Sequence, residues 1–287
     1  MSATRPGREA DPAQSPQRAS NPAIKVGIGG WVYESWRDSF YPPGLVQRRE
    51  LEYASRQVSA IEINGTYYSV QRPATYAKWR DETPEDFLFS AKAPRRIMAS
   101  RALADTGTQI EDFIGGIAEL GPKLGPLVWQ FDKSVSVEEE DFEAFLALLP
   151  RQHEGIRLRH ALDLRNPHLA NTACLRLARR HRLATVFTDS DDHPSFADIT
   201  SDFVYARLMR SRAGTDTGYE PVELDRWAER ARLWSRGEDP ADLPHLAARA
   251  AMPAARDVFM FSIGGAKERN PAAAVELLRR LGSQRVN

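Results

Sequence analysis

The chain has one cysteine, Cys174, among its 287 residues. A single thiol cannot close an internal disulfide or furnish a paired-cysteine metal knuckle, so the fold does not rest on cross-links and a reducing, cytoplasmic setting is expected. No stretch approaches ~18 consecutive apolar residues, so no membrane span is expected. Net charge is also absent, with 39 basic residues against 39 acidic. No global field therefore draws the chain to nucleic acid or anionic lipid, and any recognition of an anion has to come from local clustering. Lysine is scarce, occurring only at positions 25, 78, 92, 123, 133 and 267, so arginine supplies the other 33 of the 39 basic residues. Where arginine is the default cation, each lysine draws notice, and Lys92 and Lys267 do so most.

Residues 1–22 hold Pro6, Pro12, Pro16 and Pro22 with almost no apolar residue larger than alanine. Such a segment buries too little surface to offset its ordering entropy, and it lacks the apolar core of a secretory signal. A disordered tail is expected over 1–22, followed by a single domain over 23–287.

From residue 24 onward, short runs rich in β-branched and aromatic residues alternate with helical patterns. The runs are Ile24–Gly29, Ala60–Asn64, Phe87–Lys92, Leu127–Phe131, His160–Arg165, Ala184–Asp189, Phe203–Leu208 and Val258–Ser262. Between them, Ile110, Phe113, Ile114 and Ile117 recur at helical spacing, as do Phe142, Phe145, Leu146 and Leu149, and Leu224, Trp227, Ala228, Ala231 and Trp234. Each stripe predicts one apolar face packed on a sheet. Asn270-Pro271 reads as a cap and first turn of a last helix. Strands alternating with helices give an α/β chain, and eight such units predict a TIM-like (β/α)8 barrel. A doubly wound sheet would be expected to show GxGxxG after its first strand, which Gly27-Ile28-Gly29-Gly30 lacks. The connection between strands seven and eight is long, and a second helix is expected within it over Leu243–Ala251.

In a parallel barrel, side chains alternate between the interior and the helix layer, and active sites occupy the C-terminal rim. That alternation turns Glu62 and Asn64 inward on the second strand and Asp163 and Arg165 inward on the fifth. Ser90 and Lys92 share a face of the third strand, Tyr205 and Arg207 share one of the seventh, and Gln130 and Asp189 lie near the ends of the fourth and sixth. Buried charges are costly unless paired, so these groups are expected to pair across the lumen, either closing the barrel top or forming a polar pocket. Trp31, Tyr33, Trp36, Tyr67 and Tyr68 on rim loops are candidates to wall a ligand.

Three chemistries suit these residues. The first is metal binding. Histidine spacing does not suit a tri-histidine zinc site, only His168 and His193 follow strands closely enough to reach the rim, and no cofactor is predicted. One Mg2+ or Mn2+ on Glu62, Asp163 and Asp189 is the metal arrangement that remains. The second is covalent catalysis by Lys92, although Glu62 and Asp163 nearby are expected to stabilise its charge and favour a salt bridge or anion contact. The third is phosphate recognition, with Gly264, Gly265 and Lys267 after strand eight, Arg207, Arg210 and Arg212 on and after strand seven, and Lys92, Arg95 and Arg96 at and after strand three.

Several ordered motifs resemble the YecE-like family, domain of unknown function seventy-two. They are Gly29-Gly30-Trp31 with Trp36 and Phe40-Tyr41-Pro42, Arg49 to Ala54, Glu62-Ile63-Asn64-Gly65-Thr66-Tyr67-Tyr68, Lys92-Ala93-Pro94, Leu120 to Pro126, Trp129-Gln130-Phe131 and Phe203 to Leu208. The resemblance spans nearly all of the chain after the tail and implies a TIM-like barrel, with no established reaction. Two positions depart from it. Asn166 stands where members commonly carry histidine, and Ser262-Ile263-Gly264-Gly265 stands where they often carry Asp and Asn.

Together these features point to an uncharacterised barrel protein whose best reading is an enzyme of hydrolase, lyase or isomerase type. Its expected substrate is a phosphate-bearing sugar, nucleotide or nucleic acid. Glu62, Asp163, Asp189 and Lys92 are the catalytic candidates. Trp31, Trp36, Asn64, Tyr68, Gln130, Arg165, Arg207, Gly264, Gly265 and Lys267 are the binding candidates. The alternative is a non-catalytic protein holding an anionic ligand or nucleic acid at the same rim. No protein partner is implied.

Overall fold

The computed structural model describes residues 22–248 and 254–282. Apart from Pro22, the tail expected over 1–22 lies outside the described residues. Eight parallel strands form a closed barrel: β1 (Ile24–Gly29), β2 (Ala60–Ile63), β3 (Leu88–Lys92), β4 (Leu124–Phe131), β5 (His160–Leu164), β6 (Ala184–Asp189), β7 (Phe203–Leu208) and β8 (Asp257–Ser262). β1 pairs with both β2 and β8, which closes the cylinder. At that seam the strands approach closely, since a Cβ on Gly27 would lie 2.1 Å from the Ala60 carbonyl oxygen, so only glycine fits.

The helices follow the chain as α1 (Glu50–Gln57), α2 (Pro73–Glu82), a short α3 (Arg95–Met98), α4 (Gly107–Ile117), α5 (Glu139–Leu148), α6 (Thr172–His181), α7 (Pro221–Ser235) and α8 (Asn270–Arg280). Their apolar stripes pack on the outward strand faces. The local sequence sets the ends of two of them. α6 begins where the Asn171 side chain accepts from the Cys174 N–H, and it stops at Arg182 in the left-handed conformation. α7 opens with Pro221 and a reciprocal Glu220–Glu223 capping box. Cys174 is buried in α6, and burial raises its thiol to about 11. Asn270 does not cap α8 as its position suggested. It is the first helical residue, and its side chain accepts from Ser211 Oγ and donates to the Gly264 carbonyl.

Two connections differ from the alternation read in the sequence. No helix lies between β6 and β7. Residues 190–202 run back along β6 instead, with Thr185 Oγ1 donating to the Asp198 carbonyl and Thr200 Oγ1 accepting from the Thr185 N–H. The helix expected over Leu243–Ala251 is absent from its described part, 243–248, where Pro244 bars Leu243 from helical geometry; the rest lies outside the described residues. This segment straps the first one down. Ala197 N–H donates to the Pro244 carbonyl, and the Asp198 carboxylate accepts from the Leu246 and Ala247 N–H groups.

The lumen is layered. At its lower end Arg159 pairs with Asp257 at 2.6 Å. Above lie Ala60, Val128, Ala161, Val186, Phe259 and Phe261, and the top layer is polar. Outside the barrel, His160 is buried between β4 and α5. Its Nδ1 accepts from Trp129 Nε1 at 3.0 Å, so Nε2 carries the proton and donates to the Pro150 carbonyl at 2.7 Å.

Burial holds His160 neutral down to about 4, against an ordinary 6.5. The unfolded chain takes up this proton near 6.5 and the folded chain does not, so stability is intact above that pH and falls, by up to a few kcal/mol, as pH drops to about 4. Urea midpoints measured between pH 7 and 4.5 should decline more steeply for the native chain than for His160→Gln; parallel slopes would contradict this assignment.

Candidate functional site

The top layer of the lumen is organised around Arg207 on β7, which is 1% exposed. Its Nε and Nη2 donate to both oxygens of Glu62 on β2 at 2.8 to 3.0 Å, and its Nη1 donates to Asp163 on β5. Tyr205 donates to the same Glu62 carboxylate and is held in turn by Ser90 at 2.8 Å, while Arg165 Nε reaches Asp163 at 2.9 Å. Glu62 is 0% exposed and Asp163 2%. Burial works against the charge on Asp163, yet Arg207 and Arg165 hold its carboxyl below the usual range. For Arg207, burial opposes the charge and the two carboxylates more than restore it, so the guanidinium stays protonated. The cluster forms because alternation on three separate strands points these side chains into one plane.

Lys92 ends β3 on the same inward face as Ser90. Glu62 and Asp163 are both engaged by Arg207, and among the described residues no acceptor pairs with the Lys92 amine. Its nitrogen lies 4.1 Å from the centre of the Tyr67 ring. Burial, then the charges of Arg207 and Arg165, lower its pKa to about 8, against the upward pull of Glu62 and Asp163. Of the two roles expected for Lys92, a salt bridge or an anion contact, the salt bridge is not formed among the described residues. Tyr67 donates to Asp132, whose other oxygen accepts from Gln130 Nε2 at 2.5 Å. Burial and the bond to Asp132 raise Tyr67 to about 12, so it remains a proton donor. Gln130 Oε1 is buried without a partner.

Two cavities open beside this centre. One, of about 600 Å3, is lined by Tyr67, Tyr68, Pro94, Arg95 and Arg96. The other, of about 400 Å3, is lined by Trp31, Tyr33, Asn64, Tyr68 and Trp79. Tyr68 borders both and is 82% exposed.

Glu62, Lys92, Gln130, Asp163, Arg165 and Arg207 thus come together, with Trp31, Asn64 and Tyr68 at the margin. The remaining candidates do not join them. Asp189 follows the outward face of β6 with Phe187 and lines a separate cavity of about 420 Å3 against Trp227 and Arg230. Trp36 is buried in the core, its Nε1 donating to the Lys267 carbonyl at 2.8 Å, so it pins the β1 loop to the β8 loop. The cup expected from Gly264, Gly265, Lys267 and the arginines after β7 is not assembled. Ser211 packs against Gly265, Arg210 pairs with Asp189 and Asp191, and Arg212 pairs with Glu223. With Asp189 facing away, the Glu62–Asp163–Asp189 metal arrangement is not formed, and among the described residues no three His, Cys, Asp or Glu side chains are grouped as metal ligands.

Sequence reasoning passed over Asp132 and gave Tyr67 no role at the centre. Extending the alternation of β4 by one step would have placed Asp132 on the face of Gln130. His193, on the 190–202 segment, feels the charges of Arg165 and Asp163, and its Nδ1 is buried without a partner.

An all-parallel eight-stranded barrel with a charged plate under its C-terminal mouth defines this chain as a TIM-type (β/α)8 barrel protein. It belongs to the DUF72 family, described as proteins of unknown function, whose model matches residues 25–287. The UPF0759 protein YecE of Escherichia coli K12 is 27% identical over 139 residues, 48% of this chain and 48% of that protein. The UPF0759 protein YunF of Bacillus subtilis is 34% identical over 70 residues, 24% of each chain. The chain spans about half or less of the length of the curated relatives it matches. A DUF72 family protein of Thermotoga maritima has the same fold, with a TM-score of 0.69 and 19% identity over 90% of this chain and 98% of that one.

Arg207→Met removes the cation from two buried carboxylates and should cost ~3–5 kcal/mol in urea unfolding. Adding Glu62→Gln should restore part of that loss. A single variant as stable as the native chain would show that the cluster is not the brace described.

Proposed function

We propose that this chain is an enzyme of hydrolase, lyase or isomerase type that acts on a phosphate-bearing substrate at the C-terminal mouth of the barrel. The observation that carries the reading is where unneutralised positive charge lies. Arg210 and Arg212 are matched by acids, whereas among the described residues Lys92, Arg95, Arg96 and Lys267 carry no ion pair, and of these Arg95 and Arg96 share one cavity on the β3 side. The anion contact therefore belongs on the β3 side, in the cavity of about 600 Å3, a volume suited to a small ligand. Arg95 and Arg96 hold the phosphate there, and Tyr67 and Tyr68 wall the rest.

Lys92 favours catalysis over binding alone. An amine near 8 exchanges protons at neutral pH, as a general acid or base must, whereas a purely anion-binding cation gains nothing from a lowered value. In this reading Glu62 and Asp163 position Arg207 and Arg165, and Gln130 and Asn64 orient substrate. Non-catalytic binding of nucleic acid is the second reading, and the exposed Tyr68 beside two arginines favours it, since a base stacks on such a ring while the backbone meets the cations. The buried lone thiol suits a cytoplasmic place of action.

A thermal-shift comparison of sugar phosphates and nucleotides with their dephosphorylated counterparts tests this. A ligand at 100 times its Kd adds ~2.7 kcal/mol of stability. Stabilisation should be confined to phosphorylated ligands, disappear in the Arg95→Ala/Arg96→Ala double variant and survive Lys267→Ala. Stabilisation lost instead in Lys267→Ala, or absent for every phosphate, would overturn the placement.

A further inference from the structure

We infer that Lys92 is a carbonyl-trapping nucleophile: its amine condenses with an aldehyde or ketone of the substrate to form a covalent iminium ion, with Tyr67 serving the dehydration. The inference deepens the reading above by naming the substrate as a carbonyl compound, and it rests on that reading for the phosphate group.

Three features of the centre converge on this chemistry. An amine that attacks a carbonyl has to be free of ion pairing, and Lys92 is kept so because both carboxylates beneath it are taken by Arg207. The groups charged around it are Glu62 from β2, Asp163 and Arg165 from β5, and Arg207 from β7, with Tyr67 on the loop after β2. The balance of these charges and burial leaves about a tenth of the group as free amine at pH 7, far more than an ordinary lysine. Dehydration needs a proton donor in the site, and Tyr67, whose ring face lies 4.1 Å from the nitrogen, carries a hydroxyl that donates to Asp132 in the resting state. The substrate needs a place to anchor, and the same Tyr67 lines the cavity that holds Arg95 and Arg96.

The step balances without an oxidant. Lys92 gives one ammonium proton to water. Its lone pair then forms the C–N bond as the carbonyl π pair moves to oxygen, and proton transfer from nitrogen to oxygen gives a neutral carbinolamine. The hydroxyl departs as water, taking the Tyr67 proton, and solvent, which received the Lys92 proton, reprotonates Tyr67. The iminium that results withdraws electrons from the neighbouring carbon, which suits cleavage or proton abstraction there.

The test is reductive trapping on the full chain. Glycolaldehyde phosphate and dihydroxyacetone phosphate, each beside its unphosphorylated form, are incubated with protein and sodium borohydride, and adducts are located by peptide mass spectrometry. The other five lysines serve as internal controls. One adduct, on Lys92, forming at least ten-fold faster than on any other lysine and abolished in Lys92→Arg, is the expected result. Tyr67→Phe should keep the adduct on Lys92 but slow its formation about ten-fold, which a merely structural tyrosine would not do. Labelling spread over the lysines by exposure, or none on Lys92, overturns the inference. Phosphate-dependent stabilisation without an adduct removes this inference and leaves the earlier reading in place. Equal trapping of phosphorylated and unphosphorylated probes on Lys92 keeps the inference and removes the phosphate.

Discussion

The Arg207 guanidinium under the barrel mouth sets the terms for everything around it. It is enclosed at 1% exposure and donates to two carboxylates from strands on other sides of the lumen. Burying three ionised groups costs several kcal/mol each unless their hydrogen bonds are complete, and here the second carboxylate oxygen, the Tyr205 hydroxyl and Arg165 complete them. The cluster ties β2, β5 and β7 together where the apolar layers end.

Its second effect is chemical. By occupying Glu62 and Asp163, Arg207 deprives Lys92 of the partners that a lysine in this position would take, and its own charge disfavours the ammonium. In the function proposed, the acids that look catalytic in the sequence serve as a platform and the reactive role falls to the amine. The arginines on the β7 side are paired with Asp191 and Glu223, whereas among the described residues Arg95 and Arg96 on the β3 side carry no ion pair. A site biased toward one edge of the mouth follows from these pairings.

Much of this was legible beforehand, for a definite reason. Strand alternation is fixed by backbone geometry, so Glu62, Lys92, Asp163 and Arg207 could be placed on the interior from residue spacing alone. Asp189 reads as a rim residue only because it ends β6; the alternation, with Ala184 and Val186 in the lumen, puts it in phase with the outward Phe187. Pairing was harder to read. Which carboxylate Arg207 takes is decided by strand order and stagger across the barrel, and no local pattern in the sequence encodes that. Trp36 shows another limit, because an aromatic on a loop has the same signature whether it walls a ligand or anchors the loop to Lys267. The missing β6–β7 helix has a local cause in part, since Thr185 and Thr200 give the extended segment its own hydrogen bonds.

The central claim is that the Arg207 cluster leaves Lys92 unpaired and easily deprotonated. Reductive 13C-dimethylation followed by NMR titration reads that amine directly, with the Lys92 resonance assigned from its loss in Lys92→Arg. The account predicts a midpoint of about 8 for Lys92. A midpoint at the ordinary 10.5 would mean that a carboxylate neutralises the amine after all, and the reactive-lysine account would fail.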